Sequence, residues 1–87
     1  MNLNQLRAFQ QLMLTGSVSE AARTLGRSQP AVSTLIAGLE SQLGLKLFER
    51  RRGRLHPVPE AHYLSEECAE LLNRIGNLRQ NMRNMKA

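Results

Sequence analysis

Four guanidinium groups crowd the five positions around one glycine: Arg50, Arg51, Arg52 and Arg54 flank Gly53. Fixed positive charge at that density suits the neutralisation of a polyanion such as a phosphate backbone. A second group carries no charge but is rich in directional donors and acceptors. Gln29, Ser33 and Thr34, with Pro30 beside them, open a stretch of helical apolar spacing. A glutamine amide suits the major-groove edge of adenine, hydroxyls serve as adaptable partners, and Pro30 or Ala37 can meet a thymine methyl. Catalytic candidates are fewer: His56, His62 and Cys68. His62 and Glu66 share a helix face, but Cys68 lies six residues from His62 and off that face. Without paired acids, metal-ligand spacing or a phosphate loop, neither an enzyme nor a metal or cofactor site is expected.

Composition narrows the field further. Eighty-seven residues make one small domain. Aromatics are 3% of the chain (Phe9, Phe48 and Tyr63), which argues against a deep ligand cavity or a base-stacking platform for RNA. No run approaches the roughly 18 apolar residues of a spanning helix. The start, Met1 to Phe9, lacks the basic and apolar segments of a secretory signal. The single Cys68 excludes an intrachain disulfide and fits a reducing compartment, so a cytoplasmic location is expected. The net charge of +5 falls entirely within residues 1–58, where eight Lys/Arg face three Glu. Residues 59–87 balance four basic residues with four Glu and need a different explanation.

The elements that must position these groups follow from spacing and punctuation. Leu3, Leu6, Phe9 and Met13 mark a first helix, capped by Asn2 or Asn4 and ended by Gly16. Ser17 and Glu20 read as a capping box for a second, short helix that buries Val18, Ala21, Ala22 and Leu25 and stops at Gly26. Ser28 caps a third helix with Pro30 in its first turn. Its apolar stripe is Val32, Leu35, Ile36, Leu39 and Leu43, and Gly44 ends it. Two helices joined at a glycine, with the small Ala22 four residues before the turn, predict a helix-turn-helix. Leu47–Arg50 and Arg54–His56 then read as a hairpin around Gly53, bounded by Pro57 and Pro59. Placed there, the arginines form a wing that lies along phosphates or enters a minor groove. Arg27, and the hydroxyls of Ser17, Ser19 and Ser28 near helix N-termini, add candidate phosphate contacts.

From Pro59 or Glu60 to about residue 85 a long helix is expected. Leu64, Cys68, Leu71, Ile75, Leu78, Met82 and Met85 are spaced alternately by four and three, the seam of a coiled coil. A domain of 58 residues cannot cover a helix roughly 40 Å long, so this stripe predicts a homodimer. Tyr63 and Leu72 sit beside the seam, placed to pack on the helix's own domain. With Glu67 and Arg74 at g and Arg79 at e, a parallel pair would oppose Arg74 and Arg79. An antiparallel pair lets Glu67 meet the other Arg74.

The blocks Gly16–Ala22, Ser28–Ser33, Leu39-Glu40, Leu43-Gly44 and Leu47–Arg50, in that order, resemble the LysR-type transcriptional regulators from about residue 2 to residue 72. The resemblance implies a mostly α fold: a winged helix-turn-helix of three helices and a two-stranded wing over residues 1–58, then a dimerising linker helix over 59–87. It implies that positions matching Gln29, Pro30 and Ser33 lie in the major groove and that Arg50 to Arg54 approach the adjacent minor groove. It also implies double-stranded DNA with an interrupted inverted repeat as partner, and a small-molecule effector bound only through a C-terminal domain that this chain lacks. Thr34 departs from the pattern, standing where many members carry Arg. Ala37-Gly38 replace frequent basic residues, and Pro57–His62 replaces a Thr-Glu-Ala-Gly-like stretch. These departures shift load from the third helix to the wing. Non-specific nucleic-acid packaging is the alternative, though it calls for basic residues on every face rather than a neutral reading helix.

Overall fold

In a computed structural model that describes residues Met1–Lys86, the chain runs α1 (Leu3–Thr15), α2 (Val18–Leu25), α3 (Gln29–Leu43), β1 (Phe48–Arg51), β2 (Arg54–Pro57) and α4 (Pro59–Lys86). The architecture is the expected one, a winged helix-turn-helix followed by a long helix. The two strands pair antiparallel, with Phe48 opposite Pro57 and Arg51 opposite Arg54.

Local chemistry sets the helix ends. Asn2 caps α1 through a complete capping box: the Gln5 N–H donates to Asn2 Oδ1 (2.8 Å) and the Asn2 N–H donates to Gln5 Oε1 (3.0 Å). The box expected at Ser17 is only half made. Ser17 Oγ accepts from the Glu20 N–H (3.2 Å), but the Ser17 N–H donates to Thr15 Oγ1 (3.3 Å) rather than to glutamate. Thr15 wins because its hydroxyl is already held nearby, donating to the Gln11 carbonyl (2.8 Å). Gly26, at φ 66°, ends α2 in a Schellman turn: its N–H donates to the Arg23 carbonyl and the Arg27 N–H to the Ala22 carbonyl. Ser28 caps α3 by accepting from the Ala31 N–H (3.2 Å).

One apolar cluster holds these elements together. Leu6, Phe9 and Leu12 of α1 meet Ala21 and Ala22 of α2, Val32, Ile36 and Leu39 of α3, and Leu47 before the wing. Each large side chain contributes about 1.5–3 kcal/mol, against about 1 kcal/mol for a typical cap. Phe48 brings the wing onto this core, its ring 5.9 Å from that of Phe9 and tilted by 49°. Gly38 has a packing reason despite its helix cost of about 1 kcal/mol. A Cβ there would lie 2.9 Å from Nε2 of the buried Gln5, the residue that completes the α1 cap.

The two halves of α4 differ. The first half docks on α1: Ser65 Oγ donates to Gln10 Oε1 (3.0 Å), Gln10 Nε2 donates to the Ser65 carbonyl (3.2 Å), and Ala61 is fully buried. Cys68 belongs to this docking and corrects the expected seam. Its side chain is fully buried, its thiol donates to the Leu6 carbonyl (3.6 Å), and burial pushes the thiol pKa up. No part of it is left for a second chain. Leu64 and Leu72 pack against the same core, whereas Tyr63 is exposed, its O–H directed at Glu67 Oε1 (3.4 Å). Counting 100° per residue from Cys68, Leu71 and Leu78 lie about 60–80° round the helix, outside this contact. They are exposed together with Met82 and Met85.

Candidate nucleic-acid interface

The solvent side of α3 is what its apolar stripe leaves over. Val32, Ile36 and Leu39 face the core, so Gln29, Pro30, Ser33, Thr34 and Ala37 stand exposed on the opposite side. The Ser28 cap fixes where that face begins. Core packing of the apolar stripe then sets which side of the helix faces solvent.

The wing departs from the cheapest hairpin at its tip. Arg52 (φ 51°) and Gly53 (φ 74°) are both left-handed, as a two-residue type I′ turn requires. Asn is the usual residue at the first of these positions, and a long side chain there costs about 1–2 kcal/mol. Next to the turn, Arg51 and Arg54 face each other across the strands, a like-charge pair. Arg51 lies 3.7 Å from Glu49, but both side chains are exposed and such a pair is worth about 0–1 kcal/mol. An isolated hairpin gains nothing from these choices. A partner of opposite charge would offset them.

The fold brings Gln29 of the uncharged group together with Arg50 and Arg54 of the charged one. Ser17 and Ser19 from the start of α2, Gln29 from the start of α3, and Arg50, Gly53 and Arg54 from the wing line one cleft of about 330 Å³. Residues separated by more than thirty positions thus share a wall, with hydroxyls and a helix N-terminus on one side and guanidinium groups on the other. Arg27, Ser28, Pro30, Ser33, Thr34, Arg51 and Arg52 are exposed but lie outside the lining of this cleft.

One polar contact at the root of the wing has no counterpart in the sequence pattern. The Glu40 carboxylate near the end of α3 accepts from the Leu47 N–H (2.8 Å) where the chain turns into the wing, and lies 3.9 Å from Lys46 Nζ. Glu40 is visible in the sequence only as part of a resemblance block, because a side chain reaching seven residues ahead leaves no periodic signal. No group of His, Cys or acidic side chains able to hold a metal occurs among the described residues, and none of their helices is long and apolar enough to cross a membrane.

Residues 3–62 match the model of the bacterial regulatory helix-turn-helix protein, lysR family. The chain belongs to the LysR family. It is 50% identical over 66 residues to the transcriptional activator protein LysR of Escherichia coli K12, covering 76% of this chain and 21% of that protein. It is 38% identical over 86 residues to the regulator DgcR of a Pseudoalteromonas species, covering 99% of this chain and 30% of that one. The chain therefore spans less than a third of the length of these curated relatives. Among solved structures, the BenM DNA-binding domain in complex with catB site 1 DNA superposes with a TM-score of 0.95 at 29% identity, covering 100% of this chain and 98% of that one. The CbnR DNA-binding domain in complex with DNA gives 0.90 at 26% identity, with both chains fully covered. This LysR-family chain is thus a DNA-binding winged helix-turn-helix of a transcription regulator, and not an enzyme.

Proposed function

We propose that the chain binds a specific double-stranded DNA sequence as a homodimer. In this reading Gln29, Pro30, Ser33 and Thr34 of α3 face base edges in the major groove. Ser17, Ser19, Arg27, Ser28 and the wing arginines Arg50, Arg51, Arg52 and Arg54 hold phosphates and the adjacent minor groove. The observation that carries the reading is the shared cleft of Ser17, Ser19, Gln29, Arg50 and Arg54. It sets an uncharged side chain with a base-reading amide beside charged ones suited to phosphate. Residues 1–58 act as the reading unit and 59–87 as the linker, with the exposed Leu71, Leu78, Met82 and Met85, together with Ile75 and the flank of Leu64, forming the seam. The antiparallel pairing of two α4 helices, with Glu67 set against Arg74 of the second copy, is part of the proposal. So are a cytoplasmic site of action and a small-molecule effector acting through a region of the whole protein that this chain does not span.

Selection of bound duplexes from a random pool at fixed salt tests the reading. The expected product is an interrupted inverted repeat whose half-sites lie about one helical turn, or a multiple, apart. Inserting five base pairs between the half-sites turns one by roughly half a turn and should abolish tight binding. A pool that emerges unenriched favours non-specific packaging instead.

A further inference from the structure

The wing lies beside the exposed side of α3, and one side chain spans the junction between them. Glu40 sits in the last turn of α3, where the helix dipole disfavours a carboxylate. Its side chain is only 13% exposed, so it also gives up much of its hydration. Both costs point to a purpose served by its partner, the Leu47 N–H at 2.8 Å. Leu47 is itself a node. Its side chain is buried in the core, and its carbonyl accepts from the Val58 N–H (2.9 Å), closing the base of the hairpin. The Val58 carbonyl in turn accepts from the N–H of Ala61 (2.9 Å), in the first turn of α4. A continuous series of hydrogen bonds therefore runs from α3 through the root of the wing to the start of the linker helix.

We infer that Glu40 is a positioning residue that sets the wing at a fixed angle to α3 and, through Leu47 and Val58, fixes where α4 departs. The inference deepens the DNA-binding reading and rests on it for its consequence, though its geometry does not. Without the Glu40 acceptor the hairpin keeps its own pairing but pivots on the Phe48 ring, and the arginines lose their fixed distance from Gln29.

Amide hydrogen exchange on the intact chain, without DNA, tests the geometry, and binding to the selected operator tests the consequence. Glu40→Leu keeps the volume and removes the acceptor, Glu40→Asp withdraws it by one methylene, and Glu40→Gln keeps an acceptor oxygen at the same reach. The Leu variant should speed exchange at Leu47 and across the wing by about tenfold or more, the Asp variant less, with the α1 amides around Phe9 unchanged. Glu40→Gln should retain protection. On DNA, the losses from Glu40→Leu and Arg54→Ala should fail to add, because a wing already out of place has no contact left to lose. Wing protection that survives in both the Leu and Asp variants overturns the inference, as does equal loosening of wing and α1. If the wing loosens while Arg54→Ala leaves binding unchanged, the positioning stands and the wing's place on DNA falls. If Arg54→Ala weakens binding while the Glu40 variants leave the wing rigid, the DNA reading stands and the inference falls.

Discussion

The solvent side of α3 and the tip of the wing lie on one surface and are built on opposite terms. The α3 face carries no charge: Gln29, Ser33 and Thr34 offer short-range, directional groups on a rigid, capped helix. The tip carries four guanidinium groups, one of them in a left-handed turn and two directly opposed. A neutral face discriminates by geometry and contributes little at a distance. A charged tip attracts any polyanion and discriminates weakly. Under the proposed DNA reading, the contrast separates recognition, on α3, from attraction, at the wing.

A dimer doubles both contributions, so its loss is the largest test. Leu71→Lys puts a charge into the exposed stripe of α4 and should give a folded monomer whose operator binding falls by about 10²–10⁴. Sedimentation alongside a binding isotherm checks this, and a dimer that persists removes Leu71 from the seam. Next in size is the joint replacement of Arg50, Arg52 and Arg54 by Ala. It should weaken binding to operator and random DNA alike and lower the slope of log K against log salt by about three. A loss confined to the operator would break the contrast. Gln29→Ala should behave the other way, costing about 1–3 kcal/mol on the operator and little on random DNA, as competition titrations would show. Arg52→Asn is the smallest change and sharpens the contrast within one residue. Relief of the left-handed strain should raise stability by about 0.5 kcal/mol in thermal unfolding, while the salt slope falls by about one. A slope that does not move would leave Arg52 outside the interface.

Features resting on neighbours in the chain were legible in the sequence. Ser28 caps α3, Gly16, Gly26 and Gly44 end three helices, and Gly53 turns the hairpin, because each needs only a few residues of context. The neutral α3 face followed from the apolar stripe by elimination. The failures share a cause, which is contact that residue spacing does not encode. A heptad spacing is the same whether a residue faces its own domain or a second copy, so Cys68 was placed in the seam although it is buried against Leu6. The buried Gln5 under Gly38, and Glu40 at the wing root, are polar groups whose partners no periodicity announces. At Ser17 the competition was local but between two plausible acceptors, and the hydroxyl of Thr15 prevailed over Glu20.

The docking of the first half of α4 makes the second half a ruler. Because Ser65 and Cys68 lock the helix onto α1, its free half projects from the domain in one direction. In a dimer joined through that half, the register of the seam becomes the distance between two reading heads. A slip of one heptad moves a head by about 10 Å along the helix, close to three base pairs of duplex. Deleting seven residues from within 73–86 should therefore change the preferred half-site spacing by about that amount, and an unchanged spacing in the selected pool would show that the heads are set elsewhere. In the proposed dimer, operator spacing would then be set by the methionines and leucines in the free half of α4.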